Sequence, residues 1–314
     1  MDTHFLPVLV GPTAVGKTEL SIRLAEALGA EILSADSMQI YKYMDIGTAK
    51  PTPAERRGIP HHLLDLVTPD QPFSVAEYQK SFQSVEKAVR ARNRIPLVTG
   101  GTGLYIRAVT RQFRIPAPPA DPQLRKELQE RLEQEGNQRL HDELRRVDPA
   151  AAQRIHVNDG RRIIRALEVF IGSGKPFSTW LEDAQQPINS GTVMIGLNRD
   201  RNELYQRIDL RVEQMLRRGL LDEVKMLLDR GYSPELTSMQ GLGYKELVPV
   251  IQGTVSLEDA VELLKRRTRN YAKRQLTWFR SEPVVWFELK DNEEDLTVQK
   301  ILSFLEGKSR YLGE

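Results

Sequence analysis

The sequence predicts an α/β protein: a parallel β-sheet core that carries an inserted helical subdomain. Short apolar segments alternate with amphipathic segments along much of the chain, which is the pattern of strands joined by helical crossovers. One long interval interrupts this alternation, because only helical periodicity is found in it. At 314 residues the chain is long enough for one large core with an insertion, or for two domains.

Five short apolar segments have the length and composition expected of buried strands. They are residues 6–10, 30–36, 95–101, 192–198 and 284–289. The amphipathic stretch at 74–92 predicts a long helix before the third strand, and three or four more helices are expected between residues 201 and 280. Strands that alternate with helices in this way favour a parallel sheet.

The helical interval sets the predicted domain boundaries. It begins at the proline-rich segment RIPAPPADP, residues 114–122, and ends near residues 174–180. We therefore predict a catalytic core formed by residues 1–115 and 188–314 and a helical insertion formed by residues 116–187. Basic and acidic residues balance within the insertion, so its surface is not expected to be strongly basic overall.

Composition excludes several classes of protein. The chain has no cysteine, which rules out disulfides and thiolate metal sites. With 40% hydrophobic and 28% charged residues, it lacks the composition of a disordered protein. The acidic N-terminal segment leads directly into a strand, unlike a signal peptide, and no run of 18 apolar residues occurs. A cytoplasmic protein without membrane contact is expected.

The strongest local signal is GPTAVGKT at residues 11–18, which matches the pattern G-x-x-x-x-G-K-[ST] between a predicted strand and a predicted helix. In such a loop backbone N–H groups converge on phosphate oxygens, Lys17 neutralises charge, and the Thr18 hydroxyl can bind Mg²⁺. We therefore predict a P-loop NTPase-like core with Mg²⁺ as cofactor and Thr18 as its protein ligand. The predicted diphosphate- or nucleotide-binding residues are Gly11, Pro12, Thr13, Ala14, Val15, Gly16, Lys17 and Thr18.

Asp36 is the acidic residue that follows a predicted strand where a ligand would be expected. A nucleotide hydrolase needs a second acidic ligand for magnesium and a group that positions water. The third strand, however, ends in PLVTGGTG without an acid. This favours a loop that holds a diphosphate leaving group, with Asp36 acting on an acceptor. Two alternatives remain open, because kinases place acceptor-binding residues there and because Asp36 and Ser37 could cap a helix.

A basic segment lies near the C-terminus. Residues 265–280 carry seven basic residues and no acidic one, which is an electrostatic pattern typical of phosphate binding. The alternative is an ordinary solvated helix face. The net charge of +2 is too small to indicate a nucleic-acid partner by itself.

Five motifs together resemble the tRNA dimethylallyltransferase family. They are GPTAVGKT at 11–18, SADSMQIYKYMDIGTAKP at 34–51, GGTGLY at 100–105, NDGRRIIRALEV at 158–169 and KRQLTWFR at 273–280. Several long motifs in the same order over nearly the whole chain are more specific than the phosphate loop alone. The resemblance implies transfer of a dimethylallyl group from dimethylallyl diphosphate to N6 of adenosine 37, beside the tRNA anticodon, with release of diphosphate.

The resemblance also implies roles for individual residues. Asp36 resembles the general base, Thr102 is expected near the reacting amine, and Arg211 is expected to bind the diphosphate. Arg207 lies one helical turn from Arg211 and is an alternative for that role. The residues expected to contact tRNA are Asp36, Ser37, Met38, Gln39, Asn158, Asp159, Gly160, Arg161, Arg162, Lys273 and Arg274. The expected partners are dimethylallyl diphosphate and the tRNA anticodon stem-loop, and a monomer is expected.

Ordinary structural roles compete with some of these assignments. Thr102 could cap the following helix, and residues 158–162 could be an N-cap followed by a solvated helix start. Trp278, Phe279 and Trp286 are expected in the core rather than in a base-stacking surface. We assign no role to the adjacent histidines 61 and 62, because neighbouring residues of a strand point to opposite faces.

Three other functions use the same phosphate loop. An adenylate isopentenyltransferase would need neither the helical insertion nor the basic C-terminal helix. A small-molecule kinase would bind ATP through Lys17 and Mg²⁺, and would show ATP turnover and an arginine-rich lid. A non-enzymatic RNA-binding protein would use the loop only to bind an anion, and its RNA affinity would survive Asp36→Asn.

Overall fold

The computed structural model describes residues 5–111, 121–182, 187–291 and 293–312. The chain divides into two units, Met1–Val109 with Ser190–Glu314, and Thr110–Asn189. Residues 112–120, where the first domain boundary was predicted, lie outside the described residues.

The first unit is built on a parallel sheet. Its described strands are β1 Leu6–Val10, β2 Ala30–Ala35, β3 His61–His62, β4 Ile95–Gly100, β5 Thr192–Asn198 and β6 Val285–Glu288. Their order across the sheet is β3-β2-β4-β1-β5-β6, and every neighbouring pair is parallel. The α/β fold with a parallel sheet, predicted from the alternation of strands and helices, is confirmed.

The register of the central strands places their carboxyl ends at one edge. Val10 of β1 pairs with Gly100 of β4, and Gly100 pairs with Ala35 of β2. Every residue of β1 and β2 is buried, as expected for strands covered on both faces. The loops after these strands therefore emerge side by side, at the edge where open α/β sheets bind ligands.

The helices connect the strands and fill the interval between β4 and β5. They are α1 Lys17–Leu28, α2 Val75–Ala91, α3 Gly103–Thr110, α4 Pro122–Glu135, α5 Asn137–Val147, α6 Pro149–Arg154, α7 Gly160–Ser173, α8 Phe177–Glu182, α9 Arg201–Arg217, α10 Leu220–Asp229, α11 Tyr244–Ile251, α12 Leu257–Arg280 and α13 Glu294–Leu312. The predicted helix at 74–92 corresponds to α2, which begins with a capping box formed by Ser74 and Glu77.

The core of the first unit lies around α1 and the central strands. Leu9, Ile22 and Ile32 are fully or almost fully buried in it. The sequence analysis did not predict α13, whose Ile301 and Leu305 also pack into this cluster. Burying one such side chain contributes about 1.5–3 kcal/mol, so α13 is an integral part of the unit rather than an appendage.

The second unit is helical in its described residues. Leu128, Leu140 and Ile163 belong to a separate apolar cluster. Asp148 caps α6 by accepting a hydrogen bond from the Ala151 amide at 2.9 Å. This unit therefore has its own apolar core and its own helix caps.

Within the described residues, no helix has both the length and the apolar character needed to cross a membrane.

Close packing of α12 against the start of α3 gives a testable prediction. A Cβ atom added to Gly103 would lie 2.1–2.4 Å from atoms of the Trp278 indole. We expect Gly103→Ala to lower the free energy of unfolding by roughly 1–3 kcal/mol, because the indole must move. Urea denaturation measures this change. The control is Gly307→Ala in α13, where a Cβ meets no atom within 4 Å and should be neutral or slightly stabilising; equal effects of the two substitutions would contradict the prediction.

Candidate functional site

The phosphate loop connects β1 to α1 in a conformation that requires glycine at its ends. Gly11 has φ 147° and Gly16 has φ 115°, values that residues with a side chain rarely adopt. A Cβ on Gly11 would also lie 2.7 Å from the backbone oxygen of Leu197. Between them Ala14 adopts φ 63°, an unfavourable value for alanine that is typical of ligand-binding loops.

Lys17 is held inside this loop. Its Nζ donates to the carbonyl oxygens of Gly11 at 2.9 Å and Pro12 at 2.7 Å. Burial lowers the pKa of Lys17 from its usual 10.5 to about 7, with the positive charge of Arg211 acting in the same direction and Asp36 opposing both. A bound anion would favour the charged ammonium, so this environment is suited to a phosphate ligand.

Arg199 supports the backbone of the phosphate loop. Its fully buried side chain donates from Nε to the Val15 carbonyl at 3.0 Å. Its guanidinium forms ion pairs with Glu203, with Asp291 at 2.8 Å and with Glu294 at 3.3 Å. Sequence reasoning missed this residue; the one available signal was an arginine directly after a buried strand.

Arg207 and Arg211, the two alternatives for binding diphosphate, have different environments on α9. Arg207 donates from Nε to the Ala14 carbonyl at 3.1 Å, and its Nη1 lies 3.7 Å from Asp291. Among the described residues, Arg211 makes no hydrogen bond or ion pair, and burial lowers the pKa of its guanidinium. The geometry thus assigns Arg207 a support role for the loop and leaves the Arg211 donors available.

Asp36 follows β2 and faces the phosphate loop region. Its Oδ1 accepts hydrogen bonds from the backbone amides of Met38 at 2.8 Å and Gln39 at 3.4 Å, so capping of the following turn is one of its roles. Within the described part of the chain its Oδ2 accepts no hydrogen bond. One carboxylate oxygen therefore stabilises the turn, and the other remains able to accept a proton.

Thr102 lies next to this turn. Its Oγ1 accepts a hydrogen bond from the Ser37 amide at 3.0 Å and lies 3.3 Å from the Ser37 hydroxyl. Its own amide donates to the Ala35 carbonyl at 3.2 Å. The structure thus brings Asp36, Ser37 and Thr102 together at the carboxyl ends of β2 and β4.

The side chain of Gln39 makes its hydrogen bonds inside the chain, to the end of β2 and to the end of the segment that follows it, residues 36–50. Its Oε1 accepts from the Ser34 hydroxyl at 3.0 Å, and its Nε2 donates to the carbonyls of Thr48 and Ala49, each at 3.3 Å. These bonds join the start of the segment to its end.

Glu223 of α10 holds the middle of the same segment. Its carboxylate accepts three consecutive backbone amides, from Asp45 at 2.9 Å, Ile46 at 2.8 Å and Gly47 at 3.0 Å. The Tyr244 hydroxyl donates to it as well, at 2.7 Å. Glu223 is almost fully buried, and sequence reasoning did not single it out.

Lys50 completes these attachments from inside the segment. Its buried Nζ contacts Asp45 at 2.5 Å, Asp65 at 2.6 Å and the Tyr41 carbonyl at 3.0 Å. Ala49 and Asp65 adopt positive φ values of 48° and 55°. Such backbone conformations persist where surrounding contacts determine them, and the Lys50 contacts do so here.

Two adjoining cavities lie at this edge of the sheet. The larger, about 510 Å³, is lined by the phosphate loop together with Arg207 and Arg211. The smaller, about 290 Å³, is lined by many apolar side chains, including Met38, Ile208, Val212, Met215, Leu242 and Leu264. The residues that line both cavities are Thr13, Asp36, Thr48, Arg211, Met215 and Tyr271. Asp36 and Arg211 therefore lie where a cavity lined by basic side chains meets a more apolar cavity.

The basic segment 265–280 lies on α12, and the structure divides its charges into two groups. Intramolecular ion pairs neutralise Lys265, Arg267 and Arg269, which contact Glu213 at 3.2 Å, Glu246 at 2.8 Å and Asp209 at 2.6 Å, respectively. Lys273 and Arg274 are exposed and form no ion pair among the described residues. Only part of this segment therefore offers free positive charge.

The three C-terminal aromatic residues are packed to different degrees. Phe279 is completely buried, which confirms the core prediction for it. Trp278 is partly buried, with the Arg107 guanidinium 4.6 Å from its ring centroid. Trp286 is also partly buried, and a Cβ on Gly196 would lie 2.5 Å from its ring.

Residues 158–162 lie in the helical unit at the start of α7. The Asp159 carboxylate accepts from the Arg162 amide at 3.3 Å, so Asp159 caps this helix as the alternative interpretation expected. Arg161 and Arg162 are exposed in the first turn. Their guanidinium groups are accessible to an external partner.

The described residues contain no cluster of three or more histidine, aspartate or glutamate side chains that could hold a metal ion. Thr18 is exposed at the start of α1 and lines the larger cavity. A divalent ion held there would need oxygen ligands from the substrate and from water as well, an arrangement common for magnesium.

The fold and this site define a class: a P-loop α/β enzyme in which a carboxylate and an arginine lie between a cavity lined by basic side chains and a more apolar cavity. The IPP transferase family model matches residues 39–282. The chain belongs to the IPP transferase family.

Individual relatives cover almost the whole chain. A protein of Geobacillus thermodenitrificans named tRNA dimethylallyltransferase is 48% identical over 310 residues, which are 98% of each chain. The crystal structure of the full-length tRNA isopentenylpyrophosphate transferase from Bacillus halodurans has a TM-score of 0.74 and 45% identity, and covers 99% of this chain and 98% of that one. A eukaryotic dimethylallyltransferase acting on tRNA has a TM-score of 0.80 and 30% identity, covering 95% and 77%.

The environment of Lys17 predicts that ligand binding takes up protons. In the free protein the pKa of Lys17 is about 7, and a bound diphosphate should raise it toward its usual value. The complex then holds more protons than the free protein above pH 7, so affinity should fall as pH rises. Titration calorimetry with pyrophosphate and Mg²⁺ at pH 8, in buffers of different ionisation enthalpy, should show uptake of about one proton.

Two variants distinguish proton uptake by Lys17 from protonation of pyrophosphate itself. Lys17→Met should lose this uptake, whereas the exposed Lys87→Met should retain it. Equal uptake by both variants would assign the proton to another group.

Proposed function

We propose that this protein transfers the dimethylallyl group of dimethylallyl diphosphate to N6 of adenosine 37 in tRNA and releases diphosphate. The observation that carries the proposal is the position of Asp36 and Arg211 at the border of the two cavities. A prenyl diphosphate has an anionic half and an apolar half. The acceptor base must approach C1, the atom at which the two halves join. Relatives named tRNA dimethylallyltransferase support the same reaction.

The diphosphate binds at the phosphate loop in this proposal. Backbone amides of residues 14–18, the Lys17 ammonium and the Arg211 guanidinium stabilise the negative charge that develops on the leaving group. Mg²⁺, held by the Thr18 hydroxyl and by diphosphate oxygens, would add further charge neutralisation when bound. Arg207 and Arg199 contact the loop backbone and keep it in shape for this ligand.

The transfer itself forms a bond between adenine N6 and C1 of the dimethylallyl group as the C1–O bond to diphosphate breaks. The N6 lone pair is delocalised into the ring, so removing its proton during bond formation lowers the barrier. Oδ2 of Asp36 accepts this proton, while Thr102 holds the Asp36–Ser37 turn and lies close to the amine. A general base of this kind contributes about 10²–10⁴-fold.

The tRNA substrate is bound by both units. Ser37, Met38 and Gln39 meet the target adenosine, which an anticodon loop can present unstacked at modest energetic cost. Residues 158–162 of the helical unit and Lys273 with Arg274 of α12 contact the phosphate backbone. We also propose that the protein is monomeric and acts in the cytoplasm, where its tRNA substrate is found.

One experiment tests the reaction directly. The protein is incubated with Mg²⁺, dimethylallyl diphosphate and unmodified tRNA that carries adenosine after its anticodon, and the digested nucleosides are weighed. The expected result is adenosine heavier by one prenyl group. Prenylated AMP in a parallel reaction would support an adenylate isopentenyltransferase, and ATP consumption would support a kinase; either result without modified tRNA overturns the proposal.

The role of Asp36 is tested by Asp36→Asn. Asparagine keeps the Oδ1 acceptor that caps the turn but cannot take a proton, so turnover should fall by roughly 10²–10⁴ while tRNA affinity stays within a few fold. Single-turnover kinetics and a filter-binding assay measure the two quantities. Asp70→Asn, at an exposed aspartate, is the control. Loss of affinity with unchanged single-turnover rate would exclude Asp36 as the base.

The free charges of α12 predict the salt dependence of tRNA binding. Neutralising Lys273 or Arg274 should each reduce the slope of log affinity against log salt by about 0.7–0.9, because one phosphate contact is lost. Lys300→Ala, an exposed lysine of α13, should leave the slope unchanged. If all three variants have the wild-type slope, α12 presents an ordinary solvated face.

A further inference from the structure

Gln275 of α12 connects two loops at the carboxyl edge of the sheet. Its Oε1 accepts a hydrogen bond from the Thr13 amide at 2.8 Å, and its Nε2 donates to the Gly101 carbonyl at 3.0 Å. Only 6% of the residue is exposed. Thr13 belongs to the phosphate loop after β1, whereas Gly101 follows β4. One side-chain amide therefore joins the phosphate loop to the end of the neighbouring strand.

The backbone of Gly101 lies directly against the side-chain amide of Gln275. A Cβ on Gly101 would lie 2.1 Å from Gln275 Nε2. Tyr271, one helical turn earlier on α12, lines the larger cavity with Gln275. The Thr13 amide can only donate and the Gly101 carbonyl can only accept, so the amide oxygen of Gln275 faces Thr13 and its nitrogen faces Gly101.

The chemistry of the amide suits a neighbour of an anion. Gln275 lines the larger cavity together with Lys17 and Arg211. A glutamate there could accept the Thr13 amide, but it would oppose the Gly101 carbonyl oxygen and bring negative charge into the diphosphate space. A methionine of similar length would fill the volume and make neither hydrogen bond. Glutamine supplies one acceptor and one donor without adding charge.

We propose that Gln275 is a positioning residue for the donor: by holding the Thr13 amide, it keeps the start of the phosphate loop in the conformation that binds diphosphate. This inference rests on the proposed function for the identity of the donor. Gln275 acts through the loop backbone and takes no part in proton transfer. Its loss should therefore weaken the binding of diphosphate more than it changes the rate at saturating donor.

The first test compares kinetic constants. Gln275→Met should raise the KM for dimethylallyl diphosphate by about tenfold, which corresponds to the loss of one or two buried hydrogen bonds. The kcat and the KM for tRNA should stay within about threefold of wild type. Thr277→Val is the control, since Thr277 is exposed on the same helix and bonds the Lys273 carbonyl of that helix. If Gln275 had only a structural role, Gln275→Met would lower thermal stability but would not raise the KM for dimethylallyl diphosphate more than the KM for tRNA.

The second test uses Gln275→Glu and needs no catalysis. At pH 8 its carboxylate should weaken the binding of pyrophosphate with Mg²⁺ about 100-fold relative to wild type, because both the repulsion and the lost donor act together. Gln275→Met, which loses both hydrogen bonds but adds no charge, should weaken pyrophosphate binding by only about tenfold.

Both affinities are measured by calorimetry at pH 8 and expressed as a ratio to wild type in the same buffer. Unchanged pyrophosphate affinity in folded Gln275→Met, or equal affinities of Gln275→Glu and wild type, overturns the inference. Failure of the wild-type protein to modify tRNA would instead reject the proposed function.

Discussion

The parallel pairing of β1, β4 and β2 is the constraint on which the rest of the site depends. Hydrogen bonds between these strands align Val10, Gly100 and Ala35, so that three loops leave the sheet at the same edge. Without this register the phosphate loop, the Asp36 turn and the Thr102 loop would not meet. The burial of β1 and β2 on both faces makes a slip costly, because a shift of one residue would reverse the side of every side chain.

The second feature of this edge of the sheet is the charge of its side chains. Burial lowers the pKa of both Lys17 and Arg211, the positive charge of Arg211 lowers that of Lys17 further, and the negative charges of Asp36 and, for Arg211, Glu55 oppose the effect. Such a pair is unfavourable in the free protein and becomes favourable when a polyanion is present. Perturbed cationic groups of this kind, lining a cavity, are typical of functional sites rather than of structural ion pairs.

The helices around the sheet hold the loops in place by contacts with backbone groups. Glu223 accepts three successive amides of the segment after β2, Arg199 donates to Val15, and Gln275 receives Thr13. Replacing such a side chain by one that cannot make the hydrogen bond leaves a buried backbone group unpaired, which costs about 1–3 kcal/mol. These contacts also explain why glycine occurs at position 101, where α12 approaches the main chain directly.

The sequence by itself determined the features that are local. The phosphate-loop motif between a strand and a helix, helix α2 and five of the strands depend on residues close together in the chain, and their patterns predicted them correctly. Asp36 was identified because it directly follows a buried strand. The sequence left open whether Asp36 caps the following segment or acts on an acceptor, and its Oδ1 does cap the turn that follows β2.

Only the tertiary structure decided which distant residues support these features. Gln275 lies 262 positions from Thr13, Arg199 lies 184 from Val15, and Glu223 lies 178 from Asp45. No local pattern records such contacts, because they arise when α9, α10 and α12 pack against the sheet edge. The same packing gave Arg207 and Arg211 different environments. It also formed the ion pairs that neutralise part of the basic segment. Periodicity and motifs describe neighbours along the chain, whereas the charge and hydrogen bonding of this site are set by neighbours in space.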